Sequence, residues 1–269
     1  MNKLLRVFVF AVCLFYAVSP AHSGLEGDVY KTSYVCNDSD GNKRWQATVE
    51  IRLKEGNIYT ITEKMNGLYS GFDGRISWVA TSDFERTKDF LKPLNMDQRI
   101  FDSDGKPIAV SKQEFNYTKK IVTCVYEDLV KNTVSKKEFV FSKDIINRLL
   151  QGLCGQKFIE TGLISKEIQV ISPEPALYDI RITMVGMEEI EVNGRMRKAY
   201  KLYFDPMLGI LNFVKIFIPK SIVWHSTEPI FEWLKYDGLE SSVSSPRVVI
   251  ISLDESMTTS IPLPQEPAP

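Results

Sequence analysis

Apolar side chains return at every second position along most of this chain, in short runs that end at glycine, asparagine or proline. That period belongs to strands, whose successive side chains point to opposite faces. The sharpest turn signal is Asn193-Gly194, because a type I′ hairpin turn needs positive φ at both central positions. It links an alternating run at 187–192 to another at 198–204, and Glu191 and Arg195 flank it closely enough for a cross-strand contact. Glu55-Gly56-Asn57 joins 45–53 to 58–64 in the same way, and Thr118-Lys119-Lys120 joins 108–117 to 121–126. Further runs at 76–80, 134–141, 177–185, 221–225, 229–236 and 248–253 complete a mainly β chain, for which a single antiparallel β domain is the simplest fit.

One stretch breaks the period. Ile145, Ile146, Leu149, Leu150 and Leu153 fall at helical spacing, with Ser142 available as N-cap and Gly155 as a stop. The spacing predicts one main α-helix over 142–155, packed against the sheet or plugging it.

The ends of the chain read differently from its middle. Residues 1–23 carry Lys3 and Arg6, an apolar run at 7–18 and the small-x-small site Ala21-His22-Ser23, the pattern of a secretory signal peptide. The apolar run is shorter than the ~20 residues of a spanning helix, so a periplasmic product with no transmembrane segment after cleavage is expected. Residues 24–253 then form a single β-rich domain. Residues 254–269, with Pro262, Pro264, Pro267 and Pro269, read as a disordered tail. Cleavage removes Lys3 and Arg6 and no acid, which takes the formal charge from −1 to −3. Nucleic-acid binding draws on clustered cations and is not expected.

Chemistry-bearing residues are sparse. His225 is the only histidine after residue 23, which excludes paired-histidine zinc sites; P-loop, G-x-S-x-G and G-x-G-x-x-G patterns are missing. A catalytic pair of Cys154 and His225 is conceivable, but nothing around it in the sequence supports it. Asp-Ser-Asp-Gly occurs at 38–41 and 102–105, but both copies lack the first ligand and closing glutamate of a calcium loop and suit tight turns. The reading is therefore of a protein that is not an enzyme and holds no metal or cofactor. Export permits a disulfide; Cys36–Cys124 is the preferred pair, with three reduced, buried thiols as the alternative.

Residues 198–239 hold the densest run of large apolar side chains. Within them 207–218 has only Asn212 and Lys215 as polar side chains, which suits a buried element or a lid that touches lipid or an apolar ligand. Aromatic strands follow directly. Phe213, Phe217, Trp224 and Trp233 are the candidate ligand-binding residues, with core packing as the other reading.

VGMEEIEVNGRMRKAYKL at 185–202 and IPKSIVWHSTEPIFEWLKYDG at 218–238 resemble a family of uncharacterised exported bacterial β-rich proteins. The shared elements are a hairpin carrying Gly186, Glu188, Ile190, Val192 and Gly194, then Lys201, Pro219, Trp224, Lys235, Tyr236 and Gly238. The resemblance covers mainly the C-terminal third. It implies an envelope location and a strongly curved sheet, similar in outline to half-barrel carriers of lipoproteins or lipids, and it carries no catalytic residues. Expected partners are a lipid, an apolar small molecule or a lipidated envelope protein; the competing expectation is an assembly factor that binds another envelope protein by a sheet edge.

Overall fold

The alternating runs become strands. The computed structural model describes residues 29–207, 220–228, 230–241 and 245–253; the leader at 1–23, the tail at 254–269 and nearly all of the apolar segment 207–218 lie outside them. In chain order the strands are β1 (Val29–Asp38), β2 (Lys43–Glu55), β3 (Ile58–Leu68), β4 (Arg75–Arg86), β5 (Leu91–Pro93), β6 (Asn95–Phe101), β7 (Pro107–Asn116) and β8 (Ile121–Asp128). They continue as β9 (Thr133–Val140), β10 (Ile145–Asn147), β11 (Ser165–Ile171), β12 (Leu177–Val192), β13 (Arg195–Pro206), β14 (Ser221–Ser226), β15 (Trp233–Leu239) and β16 (Arg247–Leu253). The two Asp-Ser-Asp-Gly segments are hairpin turns: Asp38 Oδ1 accepts the N–H of Asp40 and Asn42, and Asp102 Oδ1 accepts those of Asp104 and Lys106.

All of these strands belong to one sheet, in the order β10-β11-β12-β13-β14-β15-β16-β1-β2-β3-β4-β6-β7-β8-β9, with β5 beside β4. Two meanders are thus joined where β1 pairs antiparallel with β16. The ladder stays open, and its two ends, β9 and β10, are consecutive in the chain. Only β10 and β11 run parallel, because a 3-10 turn (Arg148–Leu150) and helix α1 (Gln151–Glu160) form the crossover between them.

The predicted helix is displaced along the chain. Its first apolar pair, Ile145 and Ile146, forms a buried strand instead, and Asn147 is fixed there by donating from Nδ2 to Ser82 Oγ at 2.8 Å. The helix starts at Gln151, runs through Gly155 and ends where Thr161 N–H and Gly162 N–H meet the carbonyls of Lys157 and Ile159. β-Branched residues suit the strand, and tertiary pairing decides between two local options.

Side chains bridge the two open ends of the ladder. Ser111 Oγ donates to Pro173 O at 2.7 Å, Gln113 Nε2 to Ser172 O at 2.8 Å and Lys137 Nζ to Pro175 O at 3.2 Å. Val122, Cys124 and Phe141 pack on Ile145 and Ile171 across the same gap. A second staple holds the opposite side. Glu240, whose side chain is fully buried, accepts both Nε and Nη2 of Arg44 at 2.9 Å, Trp45 Nε1 at 2.9 Å and Ser70 N–H at 2.8 Å. Burial pushes its pKa up, but the bonds from Arg44 and Ser70 outweigh burial and hold it below the usual carboxylate range.

The concave face carries the core. Trp45, Ala47 and Ile51 of β2, Met65 of β3 and Trp78 of β4 share one cluster with Cys154, Phe158 and Ile159 of α1, so the helix lies inside the curve. The convex face of the same strands shows Gln46, Thr48 and Glu50 of β2 and Thr62 and Lys64 of β3, side chains that suit water and not hydrocarbon. Among the described residues no helix is long and apolar enough to cross a membrane.

Candidate functional site

The inward face of β1 to β4 is lined by large side chains that the core does not fully cover. Register places Tyr34 opposite Ala47, Ala47 opposite Met65, and Met65 opposite Trp78. The short side chains of Ala47 and Ala80 form a floor, while Tyr30, Tyr34, Tyr69, Phe231 and Trp233 remain half-buried around it. Tyr34 meets Trp233 edge-on with centroids 4.5 Å apart, and Tyr69 meets Trp78 likewise at 4.9 Å. Gly152 of α1 faces the Trp233 ring and gives the helix room beside it. Burial, reinforced by the Glu232 carboxylate, pushes the Tyr30 hydroxyl up to about 12; burial does the same to Tyr69. Both stay neutral.

One ion pair stands in this aromatic wall. Glu63 accepts Trp78 Nε1 at 2.7 Å and also binds Arg148, whose guanidinium lies 4.6 Å from the centre of the Trp78 ring. Burial works against the Arg148 charge, and Glu63 more than restores it. The charges are spent on each other. The wall around this pair is therefore flat aromatic surface, which suits the body of an apolar ligand.

His225 and Cys154 come from opposite elements to the same interior. His225 on β14 is fully buried; Nδ1–H donates to Phe231 O at 2.8 Å, and Nε2 has no hydrogen-bond partner. The ring presses on α1 at Gly155, where an added Cβ would lie 2.3 Å from Nε2. Burial lowers the His225 pKa to about 4 and raises that of Cys154 to about 12. Thiol and imidazole are both neutral and bond to other groups or to none, so the geometry gives no activated nucleophile.

The other predicted residues separate. Trp224 points to the convex face, opposite to His225, and is buried among Ile190, Val192, Ala199 and Leu234. Phe231 and Trp233 both pack on the concave side, and the bulge opposite Trp224 and His225 falls after them, at Leu234. Trp224 and Trp233 thus cannot line one groove, which corrects the expectation that they share a site; Phe213 and Phe217 lie outside the described residues. The Cys36–Cys124 bridge is also corrected. All three described cysteines are free and buried, and Cys36 and Cys124 sit in separate clusters with β2, β3, β4, β6 and β7 between their strands. A disulfide needs Cα atoms within about 7 Å.

The hairpin that the sequence singled out is a clasp over Trp224. Gly186, at φ +148°, marks the bulge at which β12 bends, and Glu188 accepts Trp224 Nε1 at 2.7 Å. Lys201 pairs with Glu188, and both Lys201 and Lys235 lie over the Trp224 ring, at 5.6 and 5.5 Å. At the tip, Asn193 Nδ2 donates to Ser252 O at 2.8 Å, which ties the turn to β16. The aromatic cluster on the inner face, by contrast, draws on Tyr30, Tyr34 and Tyr69, none of which the sequence marked out. Their shared feature is inward parity on β1 and next to β3, visible only once the register is known.

No protein-family model matches the chain, and no curated protein matches it. Among solved structures it is similar to a β-barrel-like protein of domain of unknown function DUF1849 from Brucella abortus, at 6% identity and a TM-score of 0.46, over 82% of this chain and 93% of that one. It is also similar to a candidate exported protein with a YmcC-like fold from Bacteroides fragilis, at 5% identity and a TM-score of 0.31, over 84% and 94%. Likeness at this level assigns neither ligand nor mechanism, and the fold stands on the chain's own sheet.

Proposed function

We propose that this chain is a non-enzymatic, exported envelope protein, periplasmic in location, whose concave face binds an apolar ligand: a lipid, an apolar small molecule or the acyl chain of a lipidated partner. One observation carries the reading. Five large aromatic side chains, Tyr30, Tyr34, Tyr69, Phe231 and Trp233, gather on the inside of the sheet and are only partly buried there. The leader pattern at 1–23 supports export. Among the described residues the outer edge of β9 is unpaired, which favours a second reading, a role in envelope assembly.

Titration with a fluorescent fatty acid tests the proposal. Wild-type protein should bind it saturably, and Trp233→Ala or Tyr34→Ala should weaken binding about tenfold while the strand signal in circular dichroism persists. Phe213→Ser with Phe217→Ser extends the test to the segment that would act as a lid. A folded wild-type protein that takes up no probe overturns the reading.

A further inference from the structure

β9 ends the sheet, and among the described residues no strand pairs with its outer side. Phe141 N–H donates to Lys120 O on the β8 side, which sets the phase of the ladder. In an antiparallel pair bonded residues alternate with non-bonded ones. The odd-numbered residues of β9 therefore bond to β8, and Val134, Lys136, Glu138 and Val140 direct their N–H and C=O groups to the open edge. The side chains of these four point away from the core, and Val134 and Val140 are 68% and 72% exposed.

Read in the opposite direction, Val134-x-Lys136-x-Glu138-x-Val140 complements itself. A second copy laid antiparallel with its Val140 opposite Val134 places valine against valine and Lys136 against Glu138, each pair occurring twice about a two-fold axis at Lys137. Shifting the register by two residues either way puts Lys136 opposite Lys136 or Glu138 opposite Glu138, and like charges directly opposite destabilise a pair. Lysine on an edge strand commonly serves to prevent pairing. Here Glu138, on the same face, supplies the countercharge. On the inner face the two copies of Lys137 would meet at the axis, but Lys137 Nζ is turned away to Pro175 O of its own chain.

We infer that β9 is a homodimerisation edge, at which two copies of this chain join their sheets antiparallel about Lys137 with Lys136 set against Glu138 of the other copy. This inference is independent of ligand binding on the concave face. Sedimentation velocity over a concentration series tests it, on protein expressed with its own leader and purified. Wild type should show a reversible monomer–dimer equilibrium that weakens with added salt. Lys136→Glu and Glu138→Lys should each raise the dissociation constant by about tenfold or more, since each reversal spoils both symmetric pairs. The double variant Lys136→Glu/Glu138→Lys restores opposite charges and should recover dimerisation. Both positions are exposed, so thermal melts of all variants should match wild type. A chain that stays monomeric to its solubility limit overturns the inference, as does a dimer indifferent to the single reversals or one that the double variant fails to restore.

Discussion

At Gly155 two tendencies oppose each other. Alanine in place of glycine within a helix ordinarily stabilises by about 1 kcal/mol, but here its Cβ would press into the buried His225 ring. Overpacking costs about 1–3 kcal/mol, so the clash prevails: Gly155→Ala should lower the melting temperature, and a double-mutant cycle with His225→Ala should show strong coupling between the two positions. His225 also sets a pH dependence. Its folded pKa, lowered to about 4 by burial, lies below the ~6.5 of an unfolded histidine. The unfolded chain then binds the proton more readily, so this contribution to stability is complete above pH 6.5, declines as pH falls and is exhausted below about 4. Its full size is about 3 kcal/mol. The urea midpoint should fall more steeply between pH 7 and 4.5 in wild type than in His225→Gln. The sequence identified His225 as a lone imidazole and Gly155 as a helix stop; their contact was hidden because it joins α1 to β14 across the interior.

Among the elements, the β12–β13 hairpin was the most legible, since Asn193-Gly194 fixes its turn and alternation fixes its strands. What alternation could not show is the bend at Gly186 that folds the tip over Trp224. Trp224→Ala should therefore destabilise the protein by about 3 kcal/mol or more and leave uptake of an apolar probe by the remaining folded molecules unchanged, because the ring lies on the convex face; chemical denaturation and probe titration on one sample check both. β6 and β11 escaped the sequence reading for physical reasons. In β6 the inward positions are Met96, Gln98 and Ile100, so a polar side chain interrupts the apolar face, and Gln98 is nonetheless buried. β11 opens on Ser165-Lys166-Glu167 before its apolar half begins. The strand expected over 229–236 starts only at Trp233, because Ile230 and Phe231 take positive φ in the turn before it.

At the scale of the whole molecule, the antiparallel class followed from the turn-punctuated runs and the curvature from the family resemblance, whereas the strand order was not legible, because the pairing of β1 with β16 leaves no local trace. Residues 33 and 253 are partners in that ladder, while the sheet is open between β9 and β10. A permutant that opens the chain between Ser142 and Lys143 and joins Leu253 to Val29 by a short linker converts the most distant pairing into a hairpin. It should keep the native circular dichroism spectrum and refold faster than wild type in stopped-flow experiments, as lower contact order predicts; equal or slower refolding would count against this view. The same topology bears on how the chain folds as it is made. β1 emerges first and its partner last, so its second edge has to wait unpaired through the synthesis of every other strand, a time when open edges invite wrong partners. The β1–β16 ladder thereby acts as a check on completeness: a chain cut short before residue 247 leaves two raw edges, those of β1 and β15, in the centre of its sheet.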